Sequence, residues 1–146
     1  MFDDRWNYYT PEKLEQEILR NPFNLQNVNK FLGEVEVSVY FNGVHDCTFF
    51  RNRGVVVSLK RNHCLTDHLT ILMHELVHAY YRAGVVPNGG FMSKSEIDRS
   101  QRIEDIVERT ALDFYRKNPA FVMGLLERFK KEWGVPEEEQ LLLTYA

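Results

Sequence analysis

Two histidines four residues apart, with a glutamate directly after the first, stand inside the stretch "ILMHELVHAYYRAG" that runs from Ile71 to Gly84. In a helix turning about 100° per residue, side chains four apart lie one above the other, so the rings of His74 and His78 can converge on one point. Neutral imidazoles suit zinc, and two of them on one rigid helix leave tetrahedral positions for a third protein ligand and a water. Glu75 falls beside them, near enough to a metal-bound water to act as general base without entering the ligand set. The HExxH spacing therefore predicts zinc-assisted hydrolysis. The metal brings the water's pKa toward neutrality, Glu75 takes the proton, and hydroxide attacks a polarised carbonyl.

A helix that does this needs a separate face for the core. Leu65, Leu69, Leu72, Leu76 and Ala83 form an apolar stripe, and the two imidazoles lie roughly 200° from Leu72 and Leu76, on the opposite side. The helical period runs from Thr66 to Ala83, with Gly84 as the expected C-terminal stop.

The elements before it read as helix, then sheet. "TPEKLEQEILRN" carries a capping threonine, a proline at the first helical position and acids in the first turn, which predicts a helix from Pro11 to about Arg20. "NPFNLQNVNKFLG" predicts a second short helix ending at Gly33. From residue 34 to 60 the period becomes two. Val35, Val37, Val39 and Phe41 alternate with Glu34, Glu36, Ser38 and Tyr40, Asn42-Gly43 is a hairpin signal, "VHDCTFF" reads as the partner strand, and "VVVSLK" follows the turn "RNRG". The expectation is an antiparallel three-stranded meander.

A third ligand must come from elsewhere, and the helix expected from about Asp98 to Lys117 offers Glu104, Asp105 and Glu108. Glu104 and Glu108 share a face, and Asp105 is turned about 100° from Glu104. Ile103, Val107, Ala111 and Phe114 form the adjoining apolar stripe, and the small Ala111 continues the Glu108 face, where it would let the two helices approach closely. A last helix is expected from Pro119 to about Trp133, followed by a tail.

"VVVSLKRNHCLTDHLTILMHELVHAYYRAG" followed by "ERTALDF" resembles the ImmA/IrrE-like family of small gluzincin-type zinc metallopeptidases over Val55 to Phe114. The resemblance implies a minimal zincin-like α+β fold in which the small antiparallel sheet packs with an HExxH active-site helix and a second, ligand-bearing helix. It implies His74, His78 and Glu108 as metal ligands and Glu75 as base. Glu104 becomes the residue that orients a ligand histidine, or the alternative ligand. The activity implied is hydrolysis of peptide bonds in an intracellular protein, with a transcriptional regulator as a typical substrate. The alternative is a zincin-fold binding or regulatory module with little or no proteolysis.

Tyr81, about one turn beyond His78, could hydrogen-bond an oxyanion, with packing between helices as its competing role. His45, His63 and His68 are expected at the surface. Gly89-Gly90, after the active helix, could hinge a lid, although plain connection is the default.

The remaining sequence limits the classes available. One compact domain fits 146 residues that are 44% hydrophobic, divided as a helical region 1–33, a sheet 34–60, the metal-site helices 66–117, and a C-terminal helix and tail 119–146. A net charge of -3 with acids and bases interleaved advertises neither direct nucleic-acid binding nor a membrane patch. The N-terminus carries acids where a signal peptide needs positive charge, and no apolar run approaches the roughly 18 residues of a membrane span. Cys47 and Cys64 sit in no CxxC arrangement. Together these features predict a soluble cytoplasmic protein with free thiols.

Overall fold

The computed structural model describes residues 5–61, 63–85 and 93–133. Two short helices open it. In α1 (Pro11–Arg20) the Thr10 hydroxyl accepts the Lys13 N–H, and in α2 (Leu25–Glu34) the Asn24 side chain accepts the Asn27 N–H. Both caps satisfy amide donors that the first helical turn leaves without partners.

Three strands follow: β1 (Glu36–Gly43), β2 (Cys47–Arg51) and β3 (Gly54–Lys60), in the spatial order β1-β3-β2. The sheet is mixed, which corrects the expected antiparallel meander. β2 pairs antiparallel with β3 through Phe49↔Val56 and Phe50↔Val55, whereas β1 pairs parallel with β3 through Val37↔Val55 and Val39↔Val57. The physical reason lies in β3. Val55, Val56, Val57 and Leu59 are all buried, so this strand needs cover on both faces, as a central strand does, while β1 buries only alternate residues. The Asn42-Gly43 pair therefore makes no hairpin. Residues 44–46 instead carry the chain past the end of β3, where the Arg61 N–H bonds the Gly43 carbonyl and the Lys60 N–H bonds Asp46 Oδ1. The tight turn of the sheet joins β2 to β3 at Asn52, in the left-handed region at φ 53°.

Three helices complete the chain: α3 (Leu65–Tyr81), α4 (Lys94–Lys117) and α5 (Pro119–Trp133). α4 starts on a capping box between Ser93 and Glu96, four residues earlier than its sequence pattern suggests. α3 is the central element, packed against β2, β3, α4 and α5. Leu69, Leu72 and Leu76 of its predicted stripe are buried, and so are Met73, Val77, Ala79 and Tyr81, so the helix is enclosed on more sides than one stripe provides. On α4, the predicted stripe Ile103, Val107, Ala111 and Phe114 is buried as expected.

α3 ends at Arg82, which takes the left-handed conformation (φ 52°, ψ 38°), and not at Gly84. Gly84 has a different duty. The segment 6–8 runs alongside it, with Asn7 bonded to the Arg82 carbonyl and the Gly84 N–H bonded to the Asn7 carbonyl. A side chain at Gly84 would press on the Trp6 and Tyr8 side chains, so glycine suits the close approach. No helix among the described residues is long and apolar enough to cross a membrane. Cys47 and Cys64 are free, exposed thiols. The Gly89-Gly90 pair and the tail after residue 133 lie outside the described residues.

Candidate metal centre

α3 presents its two imidazoles to α4. The rings of His74 and His78 are 5.0 Å apart, one turn separated, as the four-residue spacing requires. Each ring uses one nitrogen to fix its orientation. His78 Nδ1 is 2.6 Å from the Ala83 carbonyl, an acceptor only, so Nδ1 carries the proton. That carbonyl is in place because the chain turns back at Arg82, where the Ala83 N–H bonds the His78 carbonyl at 3.0 Å. His74 Nδ1 is 2.6 Å from Glu108 Oε2, which holds that ring in the same sense.

The other two nitrogens meet Glu104. His78 Nε2 lies 2.6 Å from Glu104 Oε1, and His74 Nε2 lies 3.3 Å from Glu104 Oε2. One ligand atom from each of His74, His78 and Glu104 falls within 4.8 Å of the others, close enough to hold a metal ion. Glu104 Oε1 is buried, and its contact with His78 Nε2 lacks the geometry of a hydrogen bond. Two electron-rich atoms held this close without a proper proton bridge suit a shared cation, and the donor set of two imidazoles and a carboxylate suits zinc.

The arrangement exchanges the roles expected for the two glutamates. Glu104, expected to orient a histidine or to stand in as alternative ligand, joins both Nε2 atoms. Glu108, expected as the ligand, sits on the far side of the His74 ring. The residues are one turn apart on the same helical face, and which of them reaches the Nε2 side depends on how far α4 slides along α3. Asp105 points elsewhere and accepts from the Gln101 amide at 2.9 Å.

Charge is concentrated here. Burial opposes ionisation of Glu104, but the hydrogen bond with His74 and the closeness of both imidazoles outweigh it and hold its carboxyl well below the usual range. Burial likewise disfavours a charged His74, yet Glu104 above all, with Glu75 and Glu108, raises it to about 9. Glu75 is 7% exposed. Burial pushes its carboxyl up, partly countered by His78 and by the Thr48 hydroxyl, which donates to Oε1 at 2.7 Å. Thr48 carried no signal in the sequence, where it is one polar residue in an alternating strand. The Ala83 carbonyl carried none either, being backbone.

Tyr81 does not serve the centre. It is buried, its hydroxyl donates to the Asn21 carbonyl at 2.6 Å, and its ring packs against Tyr80 and Phe23, so the packing role holds and the oxyanion role is withdrawn. His45 is exposed in the bend before β2, as expected. His63 is half-buried and bonds both oxygens of Asp46 at 2.9 Å, tying the chain ahead of β2 to the start of α3. His68, expected at the surface, is fully buried, edge-on to Phe41 at 5.6 Å, and neither ring nitrogen has a hydrogen-bond partner. Burial, and then the nearby Lys130 charge, push it down to about 4, with the Lys60 backbone opposing only in part.

No protein-family model matches this chain, and no curated protein or solved structure is significantly similar to it.

Proposed function

We propose that this protein is a zinc-dependent peptidase in which His74, His78 and Glu104 hold the metal and Glu75 is the base. The observation that carries the reading is the convergence of both Nε2 atoms and the Glu104 carboxylate, with each Nδ1 already committed to a partner. Three protein donors that leave a coordination position open match zinc sites that do chemistry, whereas purely structural sites close with four. The resemblance of Val55 to Phe114 to the ImmA/IrrE-like metallopeptidases supports the same reading from the sequence, with a protein or peptide as substrate.

When bound, zinc supplies the Lewis acidity that polarises a substrate carbonyl and acidifies a water. The side chains do the rest. The Ala83 carbonyl and the Glu108 carboxylate keep the ligand nitrogens aimed inward, the outer contacts that orient ligand histidines in metal sites. Thr48 fixes Glu75 Oε1, so Oε2 is the atom that accepts the water's proton and returns it to the leaving amine nitrogen. Burial of Glu75 moves its proton affinity toward the working pH, which is what a general base requires.

The test has two stages. Elemental analysis should find one zinc per wild-type chain and none after joint replacement of His74 and His78 by alanine. Glu75→Gln should keep the metal and the fold while losing about 100 to 10,000-fold in turnover. Used as bait in native lysate, Glu75→Gln should hold a partner that the wild type cuts. A partner left intact by zinc-loaded wild type and bound equally by both forms would replace this reading with a zincin-fold binding or regulatory module.

A further inference from the structure

Two guanidiniums lie over Phe50, a neighbour on β2 of the residue that holds Glu75. Phe50 lies two residues along β2 from Thr48 and so shares its face of the strand, about 7 Å from the residue that holds Glu75. Its ring is covered by three groups: Trp6 at 4.6 Å, the Arg5 guanidinium at 5.0 Å and the Arg82 guanidinium at 5.6 Å. Arg5 is steered there by the Phe50 and Asn52 carbonyls, which accept from its guanidinium. Arg82 immediately precedes Ala83, whose carbonyl orients His78.

Two features of Arg82 go beyond packing. Arg82 makes no ion pair among the described residues, as several other arginines do not, but it lies over an aromatic ring in the β2 residue row that reaches Glu75. It also occupies the left-handed end of α3, where glycine would close the helix without the conformational cost a side chain brings. A guanidinium laid over an aromatic ring keeps its N–H fork free at the edge, the geometry that takes a carboxylate with two parallel hydrogen bonds.

We infer that Arg82, seated on Phe50 and reinforced by Arg5, is a subsite for an acidic side chain of the substrate, within about two residues of the bond cleaved. The inference rests on the peptidase reading, and it names the substrate class: chains carrying Asp or Glu next to the scissile bond. The glutamates of the centre itself are engaged by His74, His78 and Thr48, so an acidic substrate needs this separate cation to offset their repulsion.

The experiment uses the zinc-loaded full chain with a randomised decapeptide mixture, and the products are sequenced by mass spectrometry. Wild type should enrich Asp and Glu within two residues of the cut. For one such peptide remade with Gln in place of Glu, kcat/KM should fall about 10 to 100-fold, the range of a charge-assisted hydrogen bond. Arg82→Gln should show equal rates on both peptides with unchanged zinc content, and Arg82→Asn, which tolerates the left-handed conformation, guards against a folding defect. The same two peptides, labelled, are titrated against zinc-loaded Glu75→Gln with anisotropy as readout. An acid preference in binding that depends on Arg82, with no cleavage by wild type, would keep the subsite and remove the peptidase reading. Cleavage or binding without acid preference, or a preference that survives Arg82→Gln, would overturn the subsite, and peptides neither bound nor cut would overturn both.

Discussion

Glu104 and Glu108 show how little separates two chemical roles at the scale of a residue. Both are glutamates, both lie on one face of α4, and both reach His74, yet Glu104 meets Nε2, the nitrogen proposed to bind metal, and Glu108 meets Nδ1. Glu104→Ala should therefore strip the metal, while Glu108→Ala should weaken its affinity about 10 to 100-fold, as loss of an orienting partner does. Competition with a chromogenic chelator measures both, and the reverse ranking would restore Glu108 as the ligand. Protons report the same site. Without metal, His74 stays charged up to about pH 9, held there against burial chiefly by Glu104. Ligation needs the neutral ring, so binding near pH 7.5 should release about one proton from His74, and affinity should rise about tenfold per pH unit up to about pH 9. Titration calorimetry in buffers of different ionisation enthalpy reads that proton directly.

The relevant elements are the two helices and the strand that hold these side chains at fixed separations. α3 supplies His74, His78 and Glu75 from about one turn, α4 supplies the carboxylates from the facing surface, and β2 supplies the Thr48 hydroxyl bonded to Glu75. Ala111 continues the Glu104 and Glu108 row and is buried, so its small volume belongs to the close packing of α4 against the core. Ala111→Leu should cost about 1 to 3 kcal/mol by overpacking, measured by denaturant unfolding of the metal-free protein, and should also lower metal affinity by displacing the glutamates. Arg109→Ala, which loses only an exposed pair with Glu15, serves as the control and should cost no more than about 1 kcal/mol.

Across the whole molecule, the first turns of α3 bind stability to pH. His68 sits in the core beneath Phe41 without a hydrogen-bond partner, and burial followed by Lys130 brings its pKa down from 6.5 to about 4. Between those two values the unfolded chain binds a proton at this residue that the folded chain refuses, so folding stability rises with pH across the window and falls on acidification. The other titratable groups that act on the ring, Lys130, His63 and Asp46, stay in place when His68 is replaced. The shift corresponds to about 3 kcal/mol lost between pH 7 and pH 4. His68→Leu, which fills the space without a titrating group, should flatten that part of the curve in denaturant melts of the metal-free protein. An unchanged slope would mean that His68 finds a partner on protonation.

The sequence by itself determined whatever depends on near neighbours in the chain. The capped start of α1, the stripe of α4 and the convergence of His74 and His78 all follow from local chemistry and a period of 3.6 residues. Three other matters were decided by packing between distant segments. The sheet order was set by burial of both faces of β3, a demand that overrode the Asn42-Gly43 hairpin signal, although the unbroken Val55-Val56-Val57 run already hinted at a central strand. The choice of Glu104 over Glu108 at the two Nε2 atoms depended on the register of α4 against α3, which no local pattern encodes. The partners of Glu75 and His78, a strand hydroxyl and a backbone carbonyl beyond the end of the helix, exist only once the chain has turned back on itself, because hydrogen bonds are made by proximity in space and composition records only who is available.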